Sequence, residues 1–290
     1  MPEHDMQFMN SIQPNMNDAD YRSHPALGST QVKALHEIQV FLHLEGHPLK
    51  ETGDMHRGTL AHASVLEKLS REQLEQRHPI QKKAGWKEED HDLAFSIRDV
   101  LRSHPLIGRI LQLGKPEVPV FAELCGVPCK GKIDWYQDLN DDQAIATKRG
   151  GVPFQVDASA INLYDFKTLG KGKAKQDEFE KYVGNNGLHV QAAFYFDIVK
   201  EILGHEPARF SWIVVEREPP HMCAVYNAES WLDLGRYEYQ KNLQHYRDYL
   251  QLDPEKQIAL QRSGYHEDER VLGVPGWIQK QYEQRGFDEY

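Results

Sequence analysis

The chain has little cysteine and no long apolar run, and these shortages exclude several classes of protein. Its 290 residues include three cysteines, Cys125, Cys129 and Cys223. This odd, sparse set does not form a disulfide framework, which indicates a reducing compartment. It also falls short of the four thiolates of a cysteine-only zinc or iron–sulfur site. No stretch approaches the roughly 18 apolar residues that a membrane span requires.

Basic residues are outnumbered as well: 34 Lys and Arg stand against 44 Asp and Glu, a net charge of −10. This balance argues against a protein that coats nucleic acid by general positive charge, but allows an enzyme that needs positive potential only along a channel. One segment reverses the trend, since residues 167–175 hold lysines and no acid. A solvated loop and a phosphate-contacting arm both fit this pattern. Its place directly after Lys167 favours the arm, with DNA contacts from Lys171, Lys173 and Lys175.

The N-terminal segment shows no pattern of a secretory signal. Met1–Asn17 has no basic region followed by an apolar one. Residues 1–16 are predicted to be a flexible polar tail, and residues 17–290 a single domain. A cytoplasmic location without a membrane partner is expected.

Hydrophobic periodicity predicts helices first, then strands, then a helix, two strands and a final long helix. Helical spacing of apolar residues occurs in 29–44, 58–69, 91–113 (interrupted near Pro105), 177–203 (broken near 184–187) and 229–250. Strands are predicted at 118–124, 127–135, 161–166, 210–215 and 222–226. This order is typical of an α/β fold with a mixed central β-sheet flanked by helices.

Two acidic side chains and a lysine fall on neighbouring predicted strands. Asp134 ends the segment Gly131–Asp134, and Asp165 and Lys167 follow the apolar run Ile161–Tyr164. Adjacent strands lie about 4.8 Å apart, so the two carboxylates can share a hard cation that binds oxygen. Asp165 and Lys167 project to one face of the strand. Such a lysine can orient a water or stabilise a phosphorane, although a surface ion pair fits the tripeptide alone equally well.

An ordered set of segments resembles the PD-(D/E)xK nuclease superfamily, and more closely the RecE-type exonucleases, which include the nuclease domain of exonuclease VIII and its phage-encoded relatives. The segments are Arg57–Glu67, His104-Pro105, Gly114–Glu117, Cys129–Asp134, Asp165–Thr168, His189–Tyr195 and Cys223–Tyr226, with Gly235 and a late Trp277 that is expected to be packed. Each match is modest by itself, but the ordered set covers about residues 17 to 277 and is specific.

The resemblance implies roles for individual residues. Asp134 and Asp165 would ligate metal with the Phe166 carbonyl, Lys167 would be the catalytic lysine, and His62 would reach the metal from its helix. The expected ion is Mg²⁺, with Mn²⁺ as an alternative.

Further residues are expected near the site. Gln191 and Tyr195 share one helical face and would contact substrate or support the ligands, although a packed aromatic and a surface amide fit nearly as well. Glu117 matches the acid that precedes the first core aspartate in the family. Glu123 lies closer to Asp134 across the predicted hairpin, so both glutamates remain candidates.

The activity that the resemblance implies is a Mg²⁺-dependent 5′–3′ exodeoxyribonuclease. It would digest one strand of linear duplex DNA and leave a 3′ overhang for a RecT-type annealing protein, and it would act as a homo-oligomeric ring. The alternatives are a RecB-like single-strand or flap nuclease and an inactive DNA-binding module. The extra residues 138–158, between the two aspartates, are expected to form a specificity loop or a subunit contact.

Overall fold

A six-stranded β-sheet organises most of the chain in the computed structural model, which describes residues 8–47, 52–79, 87–140, 161–262, 269 and 271–284. The strands are β1 (Ser11–Ile12), β2 (Lys115–Leu124), β3 (Val127–Asp138), β4 (Ile161–Leu169), β5 (Arg209–Glu216) and β6 (Cys223–Asn227). They lie in sequence order, and neighbours are antiparallel except for the parallel pair β4–β5. The predicted α/β fold with a mixed central sheet is confirmed.

Helices precede, interrupt and follow the strands. Before β2 lie α1 (Asp18–Ser23), α2 (Ser29–Ala34), α3 (Ile38–Gly46), α4 (Gly53–Val65), α5 (Arg71–Arg77), α6 (Glu88–Ser103) and α7 (Pro105–Ile110). After β4 lie α8 (Gln176–Asn185), α9 (Leu188–Leu203), α10 (Glu229–Leu250), α11 (Pro254–Arg262) and α12 (Gly276–Gln284). Helices α8 and α9 form the crossover that a parallel strand pair such as β4–β5 requires.

The breaks between elements follow from local chemistry. The hairpin between β2 and β3 turns at Cys125 and Gly126, which both have positive φ (53° and 73°), as two-residue hairpin turns require. His104 ends α6 and caps α7, whose first residue is Pro105. The predicted break between α8 and α9 is confirmed at Gly187, which has a φ of 60°. Helix α4 begins at Gly53, earlier than predicted, because the Thr52 hydroxyl accepts from the Met55 amide.

Apolar layers cover both faces of the sheet. On one face, α9 packs against β2, β3 and α10 with a nearly continuous buried surface. On the other face, α4, α6 and α7 enclose a cluster that includes Trp135, Phe166 and Ile213. Phe166 is 1% exposed. This packing holds α4 directly against β4, so that residues of that helix reach the polar atoms of the strand.

The ends of the chain differ from the sequence-based prediction. Ser11–Ile12, inside the predicted flexible tail of residues 1–16, pair with β2, because they complete its free edge. The chain divides into two compact units, Met1–Gln251 and Leu252–Tyr290, while a single domain over residues 17–290 stays a prediction. Trp277, predicted to be packed, is 64% exposed, so that prediction is wrong. The second unit is too small to bury an indole in a core of its own.

Most of the 138–158 segment lies outside the described residues, so its role stays a prediction. Among the residues that are described, no helix combines the length and the apolar character needed to cross a membrane.

Candidate active site

The register of the sheet gathers three acidic residues at the same level. Glu117 on β2 lies across from Asp134 on β3. Asp134 lies one residue beyond the Trp135–Tyr164 pair that ends the β3–β4 ladder, and so is level with Asp165 on β4. The register of the strands therefore places the three carboxylates at one level of the sheet.

Strands β3 and β4 separate at this level. Strand β4 pairs with β3 over Ile161–Tyr164, whereas its pairing with β5 continues from Asn162 to Leu169. Beyond Tyr164, the β3-facing backbone groups of β4 therefore bind side chains instead of a strand. The Phe166 amide donates to Asp134 Oδ2 at 2.8 Å, and the Phe166 carbonyl lies 3.0 Å from His62 Nε2. One peptide segment thus orients two candidate ligands.

His62 on α4 completes a group that can hold a metal ion. Its Nδ1 lies 3.3 Å from Glu117 Oε1, and its Nε2 lies 3.7 Å from Asp134 Oδ2. Ligand atoms from these three residues lie within 4.8 Å of one another. Two carboxylates, an imidazole and a nearby carbonyl form a donor set that suits Mg²⁺ or Mn²⁺. The residues present therefore fit a divalent cation.

Asp165 and Lys167 form an ion pair beside this group. Lys167 Nζ lies 2.7 Å from each carboxylate oxygen of Asp165 and donates a hydrogen bond to Oδ1. Asp165 is 2% exposed, whereas Lys167 lines the cavity described below. The predicted projection of both residues to one side of β4 is observed. The metal-ligand role predicted for Asp165 stays a prediction, since its carboxylate holds the lysine.

The charges of the group are strongly coupled. Burial lowers the pKa of His62, but the carboxylates of Asp134 and Glu117 outweigh it and raise that pKa to about 9. Burial raises the pKa of Asp134 to about 7. Burial opposes ionisation of Glu117 too, yet His62 and Lys132 lower its pKa to about 2. The pKa of Lys167 is raised by Asp165 and Asp134 against the effect of burial, so its amine is an ammonium at neutral pH.

The structure distinguishes between the two candidate glutamates. Glu123 is exposed and lies across from Pro128, next to the hairpin turn. Glu117 lies in the group with a φ of 51°, a left-handed conformation that is costly for a residue with a β carbon. Lys132, which sequence reasoning missed, donates to Asp18 Oδ1 and lies 2.9 Å from Glu117 Oε2. Its place two residues before Asp134 on the same strand was the available signal.

Gln191 and Tyr195 lie behind strand β3. The Tyr195 hydroxyl is 3.2 Å from Ser29 Oγ, and Gln191 also hydrogen-bonds to it. A β carbon at Gly131 would lie 2.9 Å from the Tyr195 ring, so glycine is needed for this close approach. Burial raises the pKa of the Tyr195 hydroxyl. These contacts fit a supporting position for Tyr195, which is buried, whereas Gln191 is partly exposed.

A cavity of about 1210 Å³ opens over the group, between α1, α4 and the ends of the strands. His62, Glu117, Asp134 and Lys167 all line it. Of the three lysines predicted to contact DNA, Lys173 lines the cavity and lies 2.5 Å from Glu178. Lys171 and Lys175 are exposed on the same segment.

Comparisons with known proteins agree with this architecture. A family model described as a PDDEXK-like domain of unknown function (DUF3799) matches residues 36–257. The crystal structure of a candidate exonuclease from Eubacterium rectale superposes with a TM-score of 0.60 at 16% identity, covering 92% of this chain and 98% of that one. At this identity the similarity shows a shared fold. No curated protein matches the sequence.

Proposed function

The chain belongs to the family of PDDEXK-like domains, and from that membership we propose that it is a divalent-metal-dependent deoxyribonuclease. The observation that carries the proposal is the convergence of His62, Glu117 and Asp134 beside the Asp165–Lys167 pair in one large cavity. Two ionised acids that lie close together and partly out of solvent are unfavourable unless a cation binds between them.

Each residue has a role that its contacts support. Glu117 and Asp134 would hold the ion, with His62 and the Phe166 carbonyl at its side, and the ion would neutralise charge on the scissile phosphate. The Phe166 amide fixes the Asp134 carboxylate by the 2.8 Å hydrogen bond. Asp165 fixes the Lys167 ammonium, which is aimed into the cavity and can donate to the attacking water or to a phosphate oxygen. An ammonium cannot accept a proton, so Lys167 acts as a donor and a positive charge.

The finer proposal concerns substrate and product. The resemblance to RecE-type exonucleases supports 5′–3′ digestion of one strand of linear duplex DNA, with a 3′ overhang passed to a RecT-type annealing protein. A homo-oligomeric ring would let lysines from several copies converge on a duplex although one chain carries a net charge of −10. Sedimentation that finds monomer alone at micromolar concentration contradicts the ring.

A digest of linear duplex labelled at either the 5′ or the 3′ end tests the activity. With Mg²⁺ or Mn²⁺, early release of the 5′ label as mononucleotide is expected, and EDTA is expected to stop it. Circular duplex and single-stranded DNA serve as matched substrates. Preference for single strands or flaps would favour a RecB-like nuclease, and duplex binding without any cleavage would indicate an inactive binding module.

A further inference from the structure

Every cation that lines the cavity, within the described part of the chain, lies in an ion pair with a carboxylate. The lysines and arginines among them are Arg22, Arg77, Lys132, Lys167, Lys173 and Arg217. A cavity that binds a polyanion would gain most from unpaired cations, because phosphate contacts with Lys and Arg supply most non-specific affinity. The pairing therefore requires an explanation.

Three of the carboxylate partners lie in the cavity wall but outside the candidate metal group. Asp18 contacts Arg22 at 2.5 Å and Lys132 at 2.8 Å. Asp54 contacts Arg217 at 3.2 Å, and Glu67 pairs with Arg77. We refer to Asp18, Asp54 and Glu67 as the competitor carboxylates.

The pairs of the competitor carboxylates are open to solvent. The side chains of Asp18 and Asp54 are 51% and 61% exposed, and that of Glu67 is 28% exposed. Solvent-exposed ion pairs contribute about 0–1 kcal/mol to stability, so they explain little of the fold. For the same reason, a DNA phosphate can displace the carboxylate at little cost in stability, since both anions accept the same hydrogen bonds.

Displacement has a definite effect on salt dependence. A phosphate that binds a free lysine or arginine releases about 0.9 counterion from duplex DNA into solution. Where the cation was already paired, breaking the ion pair costs part of the gain in affinity, and this cost falls as salt screens the pair. A cavity with paired cations therefore binds DNA more weakly at low salt and with a shallower salt dependence than its number of basic residues suggests.

We propose that the competitor carboxylates are specificity determinants that compete with DNA phosphates for Arg22, Arg77 and Arg217. They weaken each isolated phosphate contact, so that retention in the cavity requires several phosphates at once, as in a duplex, and a released mononucleotide leaves readily. The inference rests on the proposed function, because it takes DNA as the polyanion.

The test is duplex binding measured by fluorescence anisotropy in EDTA, which prevents cleavage and removes metal from the measurement. The variants are Asp54→Asn, Glu67→Gln and their combination. Asp54 also pairs with Arg57 at 2.6 Å, but Arg57 has a second partner in Asp90 at 3.0 Å and does not line the cavity, so Arg217 is the cavity cation that the first variant frees. Each single variant is expected to steepen the slope of log affinity against log salt by up to about 0.7, and the double variant by up to about 1.4, because each removed ion pair is worth at most about 1 kcal/mol.

At about 0.1 M salt this slope corresponds to a gain in affinity of up to about fivefold for each freed cation, if the curves meet near 1 M salt. Glu206→Gln is the matched control. It removes the same charge from an exposed pair, with Lys200 at 2.7 Å, and neither residue lines the cavity. Its slope is expected to equal that of the wild type, which separates the effect of a freed cation from that of net charge.

Two outcomes contradict the inference and are distinguishable. If the wild type binds duplex but the cavity variants have unchanged slopes, or if Glu206→Gln has the same effect, the competitor role is wrong while the proposed function stands. If the folded wild-type protein does not bind duplex at any salt concentration, the proposed function fails and the inference fails with it. Thermal melts of each variant verify that the comparison is between folded proteins.

Discussion

Two groups of polar side chains in this protein, one around Asp197 and one around Asp134, differ in how the charges of their acids are satisfied. At the α9–α10 interface, Asp197 accepts from Arg236 Nε at 2.7 Å and from its terminal nitrogen at 2.9 Å, and the Tyr239 hydroxyl donates at 2.6 Å. Both carboxylate oxygens are therefore bound in a bidentate pair. In the cavity, by contrast, Asp134 and Glu117 lie beside each other with one histidine between them.

The electrostatics of the two groups differ accordingly. Hydrogen bonding to Asp197 raises the pKa of Arg236, so the ion pair is favoured as formed. Burial raises the pKa of Asp134 to about 7, so this carboxylate is poorly stabilised as an anion. We refer to Asp197, Arg236 and Tyr239 as the closed network, and such a network holds helices together. We refer to His62, Glu117 and Asp134 as the open group, which is stabilised when a metal ion binds. The contrast separates a structural role from a catalytic one.

The largest expected effect is on cleavage. Lys167→Met should reduce the cleavage rate by about a thousandfold or more, because a positioned donor is lost where negative charge develops. Because the change also leaves Asp165, which is 2% exposed, without its cation, a loss of about 3 kcal/mol of unfolding free energy is expected as well, and rates are compared per folded molecule. The measurement is single-turnover digestion of linear duplex with saturating metal.

Lys200→Met is the control for Lys167→Met, because Lys200 is an exposed lysine that pairs with Glu206 and does not line the cavity. Its rate should stay within about threefold of the wild type. Full activity of Lys167→Met would remove the lysine from the mechanism.

At the closed network, a loss of stability without a loss of cleavage rate is expected. Arg236→Met leaves Asp197 buried without its bidentate partner, which should cost about 3 kcal/mol of unfolding free energy. Urea denaturation measures this loss. The cleavage rate per folded molecule should be unchanged, and a selective loss of activity with full stability would show that the two groups are not functionally separate.

Metal binding should stabilise the protein through the open group alone. At ten times its Kd, Mg²⁺ or Mn²⁺ should add about 1.4 kcal/mol to the unfolding free energy. Binding needs a neutral His62 and an ionised Asp134, whose pKa values are about 9 and about 7. A bound ion therefore releases protons, and metal affinity should rise as pH increases from about 6 to about 9.

Calorimetry in two buffers of different ionisation enthalpy measures this proton release. Asp134→Asn should abolish the thermal shift, whereas Arg236→Met should keep it. A shift that is independent of pH, or one that survives in Asp134→Asn, contradicts the ligand assignment.

Much of the fold was predictable because its signals are local. Helix α10 was predicted with the bounds that the structure has, and the α8–α9 break follows from a glycine-rich segment. The edge pairing of Ser11–Ile12 was not predictable, because two residues carry no periodicity and the pairing depends on the distant strand β2. The exposed Trp277 was missed because a residue's type indicates a tendency to be buried, not a partner.

The sequence predicted which residues lie close together at the candidate site, but not which atoms they contact. Asp134, Asp165, Lys167 and His62 are brought together as the motifs indicated. The sequence could not show that β3 and β4 separate after Tyr164, since strand divergence is a property of the ladder. That divergence frees the Phe166 backbone for Asp134 and His62.

The smallest expected effect concerns the backbone at Glu117. Its φ of 51° costs a residue with a β carbon about 1 kcal/mol, whereas glycine adopts this conformation freely. Glu117→Ala and Glu117→Gly remove the same carboxylate and differ in this respect. We expect the glycine variant to be more stable by about 1 kcal/mol in urea denaturation without metal, while both variants bind metal weakly. Backbone strain at Glu117 would then distinguish the open group from the closed network, because Asp197 lies in the regular helix α9. Equal stability of the two variants would show that the chain relaxes at residue 117 once the carboxylate is gone, and that the group itself imposes the conformation.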